Sequence, residues 1–394
     1  MAGVLSLPVS TRIAMQTTID YFGESHRILR QTVSRFVQKE IKPYVEEWEE
    51  TGEFPRELFV KAAEVGLMGV CYPEEWSGIN TDLFHEVVVT EELTRSGSGG
   101  IAAGLMSHSI ALPPILALGN SEQKLRFIPP VLRGEKIAAL GITEPGGGSD
   151  VANIRTRAVR NGDYYVVNGA KTMITSGCRA DFVTMAVRTG EPGYKGISLM
   201  VVETGTPGFT VSKKLRKMGW WASDTAELSL VDVRVPAENR LGEEGAAFYG
   251  LMHNFQKERL YIAVMANTTA QMALEESLNY AGVREAFGRP LTGFQVTRHK
   301  LVDMAVLVEV SREFTYRIAA KIQAEENMVK EISMAKVFST DICDRVCHAA
   351  VQIHGGYGYM REYPVERLYR DSRILSIGGG TTEIMKEIIS KMIL

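Results

Sequence analysis

The chain has 394 residues, 45% hydrophobic and 23% charged, more than one typical core holds, so two or three domains are expected. Its 44 basic and 47 acidic residues leave a net charge of −3, which gives no electrostatic reason to expect nucleic acid or an anionic membrane. Cys71, Cys178, Cys343 and Cys347 match no metal-ligand spacing and are few for this length, which fits a reduced compartment. Cys343 and Cys347 lie one helical turn apart and read as small core residues.

No uninterrupted apolar run approaches the ~18 residues of a membrane span. The first nineteen residues lack acids and hold one Arg, a faint echo of a transit peptide. Residues 1–20 read as a loose arm. From Tyr21 to about Lys136 the pattern is helical, with Ile28, Leu29, Val33, Phe36 and Val37 as the apolar positions of the first helix. "SEQKLRFIPPVLRGE" predicts another helix, capped by Ser121 and stopped by Pro129 and Pro130. Near Ile137 the period changes. "IRTRAVRNGDYYVVNGAKTMIT" alternates and turns at Asn161-Gly162, and "FVTMAVR", "GISLMVVE" and "AELSLVDVRV" follow as strands. No long helices intervene, so an antiparallel barrel or sandwich is expected. From about Glu244 to Leu394 the helical period returns in three or four long amphipathic segments, which predicts a bundle. The fold class is α+β: an N-terminal helical domain over 1–136, a middle antiparallel β-domain over 137–243, and a C-terminal four-helix bundle over 244–394.

Several motifs carry chemistry. "GSGGIAA" fits a loose dinucleotide pattern, but that pattern needs a preceding strand and here a helix precedes it. Its small residues, Gly97 to Gly104, either let helices approach or leave room for a ligand. "GITEPGGGSD" follows a strand and offers backbone N–H groups with the hydroxyls of Thr143 and Ser149; a plain surface turn is equally open on that evidence. "KTMITSG", "REAFGRPLTGFQ" and "QIHGGYGYM" end strands or helices, and Gly355 alone could be a helix cap. "ILSIGGGTTEIMKE" sets three glycines before a helix, a seat for an anion or polar cofactor edge. HExxH, paired Cys–His sets and GxSxG are absent, so metal and serine hydrolysis have no support.

Together and in this order these stretches resemble the acyl-CoA dehydrogenase family, over essentially the whole chain after Tyr21. The resemblance implies FAD as cofactor without a dinucleotide-fold motif. It places Leu140, Ile142, Thr143, Gly148 and Ser149 along the flavin ring and pyrophosphate, and Thr175 on flavin N5. Met173 stands where most members carry an aromatic. Arg284, Phe287, Gln295, Gln352, Gly355 and Gly356 are implied to hold the adenosine and phosphate part, in part across a subunit boundary, so a homo-oligomer, commonly a tetramer, is implied. Thr381 and Glu383 belong to the same cofactor site.

The family reaction needs a base for the α-proton of an acyl thioester and donors for the thioester oxygen. Many members carry the base as a glutamate in the final turn; here that position is Gly379, whose backbone N–H can still serve the oxygen. The long-chain and isovaleryl types carry the base as Glu-Arg-Leu on the first bundle helix, and "FQKERLYIA" supplies Glu258. The plain reading of Glu258 is a carboxylate in an early helical turn paired with Lys257 or Arg259. Ser149, Phe255, Arg259 and Gly380 are expected on the substrate. The glycines at 378 and 379, with Gly97 to Gly104, suggest a wide channel and a long or branched acyl chain. Electron-transferring flavoprotein is the implied acceptor, and the bacterial cytoplasm or the mitochondrial matrix the implied compartment. The alternatives are an oxidase or flavin monooxygenase on the same scaffold, or a non-catalytic CoA-binding relative.

Overall fold

The computed structural model describes residues 21–394; the expected arm at 1–20 lies outside the described residues. The first helix, Glu24–Phe36, runs on through a π-turn at Val37–Ile41. Val33, Phe36, Val37 and Ile41 enter the core, but Ile28 is 56% exposed. Ile28 precedes Val33 by five residues, about 140° around the helix, so it cannot share that face. A second correction concerns Ser121–Leu132, whose cap is Asn120, not Ser121. Asn120 Oδ1 accepts from Gln123 N at 2.9 Å and Gln123 Oε1 accepts from Asn120 N at 2.8 Å, a capping box. Pro129 and Pro130 do not stop this helix. They lie in its last turn, where their missing N–H groups matter little and their carbonyls accept from Arg133, Glu135 and Lys136.

Eight strands follow: β1 (Ala138–Gly141), β2 (Arg157–Asn161), β3 (Tyr164–Thr175), β4 (Phe182–Arg188), β5 (Ile197–Glu203), β6 (Phe209–Lys214), β7 (Thr225–Pro236) and β8 (Arg240–Leu241). They form one sheet in the order β6-β7-β3-β2-β4-β5-β8, with β1 beside β4. The β2–β3 hairpin turns at Gly162, where φ is +61°. Most pairs are antiparallel, as the alternating sequence predicts. β1 and β4 run parallel, from Ala138↔Phe182 to Gly141↔Met185, because the whole β2–β3 hairpin lies between them as a crossover. β4 and β5 are apolar on both faces. Phe182, Leu199 and Val201 meet the N-terminal helices; Val183, Met200 and Val202 fill the sheet's own core.

The C-terminal helices are Ala247–Val283, Gln295–Gln323 and Val329–His354, with Thr382–Ile393 packed on the third. The first of these crosses three environments. Ala247 and Leu251 pack with the sheet-facing cluster, Leu260 and Val264 with Leu83 and Val87, and Ile262 and Ala266 with the N-terminal core. The residues near position 258 therefore sit where sheet, N-terminal helices and bundle converge. A buried polar junction also ties the three. Asp371 Oδ1 accepts from Trp220 N at 2.7 Å and Oδ2 from Gly99 N at 3.0 Å, while Arg370 pairs with Glu49 at 3.1 Å.

Candidate active site

The glycine turn and the first bundle helix meet directly. Gly379 and Gly380 have φ of +61° and +103°, which favour glycine. A Cβ added at Gly379 would overlap Ile262 Cδ1 and lie 3.3 Å from Glu258 Oε1 and 3.5 Å from its Cδ. Glu258 thus places its carboxyl group in the space that a side chain at 379 would enter. The residue is half-buried. It lies about three turns into its helix, not in an early turn, and makes no ion pair with Lys257 or Arg259. Burial pushes its carboxyl above the usual range, while Lys336 and then Arg259 pull it back down. Among the described residues none accepts the Gly379 N–H. Phe255, three residues before Glu258, shares its helix face and is half-buried. Arg259 is buried and its Nε has no partner among the described residues. Burial lowers its pKa, and Glu258 raises it.

A second wall comes from the sheet. Thr172 N donates to Thr143 O at 2.9 Å, which lays the β1 extension, Leu140 to Thr143, beside the end of β3. β3 bulges against β7 between Lys171 and Ile174, and Met173 adopts φ +59° with 67% of its surface exposed. Thr143 and Thr175 are half-buried, and neither hydroxyl is engaged by a described residue. Gly148 and Ser149 lie exposed on the loop between them. That loop is held from beneath by two residues the sequence reading passed over. Lys171 Nζ, fully buried, donates to Ile142 O at 3.1 Å and pairs with Glu144 at 2.8 Å. Glu144 also accepts from Arg155 N at 2.7 Å and Thr156 N at 2.9 Å. Burial lowers the Lys171 pKa to about 8, and Glu144 opposes that. A Lys on the inward face of a strand was the available signal.

The third set stands apart. Arg284, Gly355 and Gly356 line a concavity of about 540 Å³ with Tyr280, His354 and Tyr357. Phe287 is at the tip of a small hairpin, 96% exposed with φ +52°. Gln295 and Gln352 are exposed, and Cβ atoms on Gly355 and Gly356 would meet nothing. Thr381 Oγ1 accepts from Ile384 N at 3.3 Å as cap of the last helix, and its hydroxyl also hydrogen-bonds the carboxylate of Glu383, which is exposed in that first turn. Gly380 is sealed on one side by Met385, 2.6 Å from where its Cβ would be.

Two sequence expectations about space fail. Gly379 opens no volume, since Ile262 and Glu258 occupy it. The Gly97–Gly104 stretch is no channel. A Cβ on Gly99 would overlap Trp220 Nε1, one on Gly100 would lie 2.9 Å from the Trp220 backbone, and one on Gly104 would lie 2.9 Å from Phe54. These glycines admit neighbouring side chains and backbone instead. A Cβ on Gly378 would make ordinary contacts with Ile374, 3.5 Å from its carbonyl oxygen and 4.0 Å from Cγ1, and one on Gly97 would lie 3.7 Å from Arg367 Nη2. A further cluster, His26, Asp82 and His85, has ligand-like proximity. Gly23 N donates to His26 Nδ1 at 2.8 Å, so Nε2 carries the proton it gives Asp82 and has no lone pair for a metal.

The N-terminal, middle and C-terminal domains of acyl-CoA dehydrogenase match residues 23–135, 139–233 and 247–394. The chain belongs to the acyl-CoA dehydrogenase family. It is 41% identical to the long-chain specific acyl-CoA dehydrogenase of Rattus norvegicus mitochondria, over 94% of this chain and 87% of that one. A crystal structure of a probable acyl-CoA dehydrogenase from Mycobacterium abscessus shares 54% identity, covering 95% of this chain and all of that one, with a TM-score of 0.94. A Bacillus anthracis acyl-CoA dehydrogenase complexed with FAD is 32% identical, covers 97% of this chain and 70% of that one, and has a TM-score of 0.89. This chain is an FAD-dependent oxidoreductase that dehydrogenates acyl-CoA thioesters. The free hydroxyls of Thr143 and Thr175 and the uncovered Met173 suit a flavin edge and face.

Proposed function

We propose that the chain converts a long or branched acyl-CoA to the trans-2-enoyl-CoA with Glu258 as base. FAD supplies the acceptor for the β-hydrogen, which leaves as hydride. The Glu258 carboxylate removes the α-proton as the new double bond forms. The Gly379 N–H donates to the thioester oxygen and steadies the enolate charge as it builds. The observation that carries this reading is the 3.3 Å separation between Glu258 Oε1 and the Cβ site of Gly379. It gives one carboxylate next to one unspent backbone donor. Phe255 faces the acyl group, Ser149 and Arg259 the thioester and CoA part, and Gly380 completes the turn. Leu140, Ile142, Thr143, Gly148, Met173 and Thr175 hold the flavin ring. Arg284, Phe287, Gln295, Gln352, Gly355 and Gly356, with Thr381 and Glu383, take the adenosine and phosphate part across a subunit boundary.

The likeness to a long-chain enzyme supports the acyl class. Electron-transferring flavoprotein is the proposed acceptor; relatives at 38% identity include a subunit of an Etf complex. No single described helix is long and apolar enough to cross a membrane.

Anaerobic titration with thioesters of several lengths and branchings tests the whole reading. Wild type should bleach its flavin, best with a long or branched chain, and Glu258→Gln should bind FAD and ligand yet bleach about 10³-fold more slowly. Full-rate bleaching by that variant removes Glu258 from the mechanism. Readmitted oxygen that reoxidises the flavin at turnover rate would favour an oxidase.

A further inference from the structure

Lys336 lies in the third bundle helix, and only 1% of it is exposed. Ile332, four residues earlier, and Ser339, three later, are both fully buried, so this helix face belongs to the interior. A methionine would fill the same volume without the cost of desolvating an ammonium. Yet the ammonium makes no ion pair with any described carboxylate and donates instead to the carbonyl of Gly380. That carbonyl closes a turn whose last two glycines have positive φ and little conformational preference of their own. The carboxyl that Lys336 faces is Glu258.

We infer that Lys336 is a positioning residue of this active site: anchored on the Gly380 carbonyl, its ammonium fixes the glycine turn and keeps Glu258 in its proton-accepting form. The charged groups that face Glu258 are Lys336 from the third helix and Arg259 from its own; the glycine turn brings none. Burial favours the protonated form of Glu258, and an acyl chain that excludes water would add to this. Lys336 opposes that on one side while orienting the Gly379 N–H on the other. Burial also lowers the pKa of Lys336 to about 8, opposed by Glu258, so the ammonium persists at neutral pH.

The test uses full-length FAD-loaded enzyme and the pH dependence of anaerobic flavin bleaching by acyl-CoA. Lys336→Met should melt as a folded protein and retain FAD. Its acid limb should move up by ~1 pH unit, with bleaching at pH 6 about tenfold slower. Lys336→Arg should return the limb toward wild type. If Lys336→Met fails to fold, Lys336→Gln, which keeps a donor for Gly380 without the charge, is read the same way. A folded, uncharged variant whose acid limb superimposes on wild type overturns the inference. The inference rests on Glu258 as base. Rapid bleaching by Glu258→Gln would remove that footing, whereas an inert Glu258→Gln beside an unmoved limb sinks the Lys336 role alone.

Discussion

A carboxylate and a backbone donor from different elements share one small space here, and single atoms decide what it tolerates. Gly379→Ala would push a methyl into Ile262 and against Glu258, at a φ of +61° that alanine resists. We expect it to cost about 2 kcal/mol of stability, visible as a lower melting temperature. It should also slow bleaching far more than it weakens FAD retention, because it displaces the proposed base rather than the cofactor. The raised pKa of Glu258 gives a second expectation. The rate should fall as the medium is acidified, with its midpoint above the 4.5 of an ordinary glutamate. Stopped-flow bleaching across pH 5 to 9 measures it.

Among the elements, the loop after β1 depends on the Lys171–Glu144 pair at its base. Burial pushes the Glu144 carboxyl up, but the Lys171 ammonium, the Thr156 side chain and the Arg155 N–H outweigh it and hold the pKa below 4.5. A carboxyl depressed on folding stabilises the loop above its ordinary pKa, and that contribution is lost as pH falls through the folded value. FAD should therefore stay bound down to the ordinary glutamate pKa of 4.5 and escape progressively below it, seen as rising flavin fluorescence. Lys171→Met leaves Glu144 buried without its cation. It should release FAD already at neutral pH, with affinity down by tenfold or more. This element marks the edge of what the sequence revealed. Hairpins and bundle helices were legible because Asn161-Gly162 and the long apolar stripes are local signals. The paired Lys171 and Glu144, and Lys336 beside Glu258, meet only through tertiary packing. Trp220 over Gly99 likewise joins residues far apart in the chain, so the glycines there read as empty space.

At the scale of the molecule, the hairpin bearing Phe287 faces outward, its ring 96% exposed and touched only edge-on by Phe294 among the described residues, and Arg284 stacks 5.6 Å from the Tyr357 ring nearby. We propose that a second copy covers it. Phe287→Ser should lower the oligomeric mass by light scattering and weaken FAD binding about tenfold, as loss of an interface aromatic does. Three kinds of structure are also riveted together at Asp371, whose two oxygens hold the Trp220 and Gly99 amides. Gly379 follows that rivet by eight residues in the same short segment. Slippage of the sheet against the helices is thus passed along a short tether to the amide proposed to bind the thioester oxygen. Warming should silence the enzyme several degrees before its helices melt, since turnover demands a registry among domains that secondary structure does not.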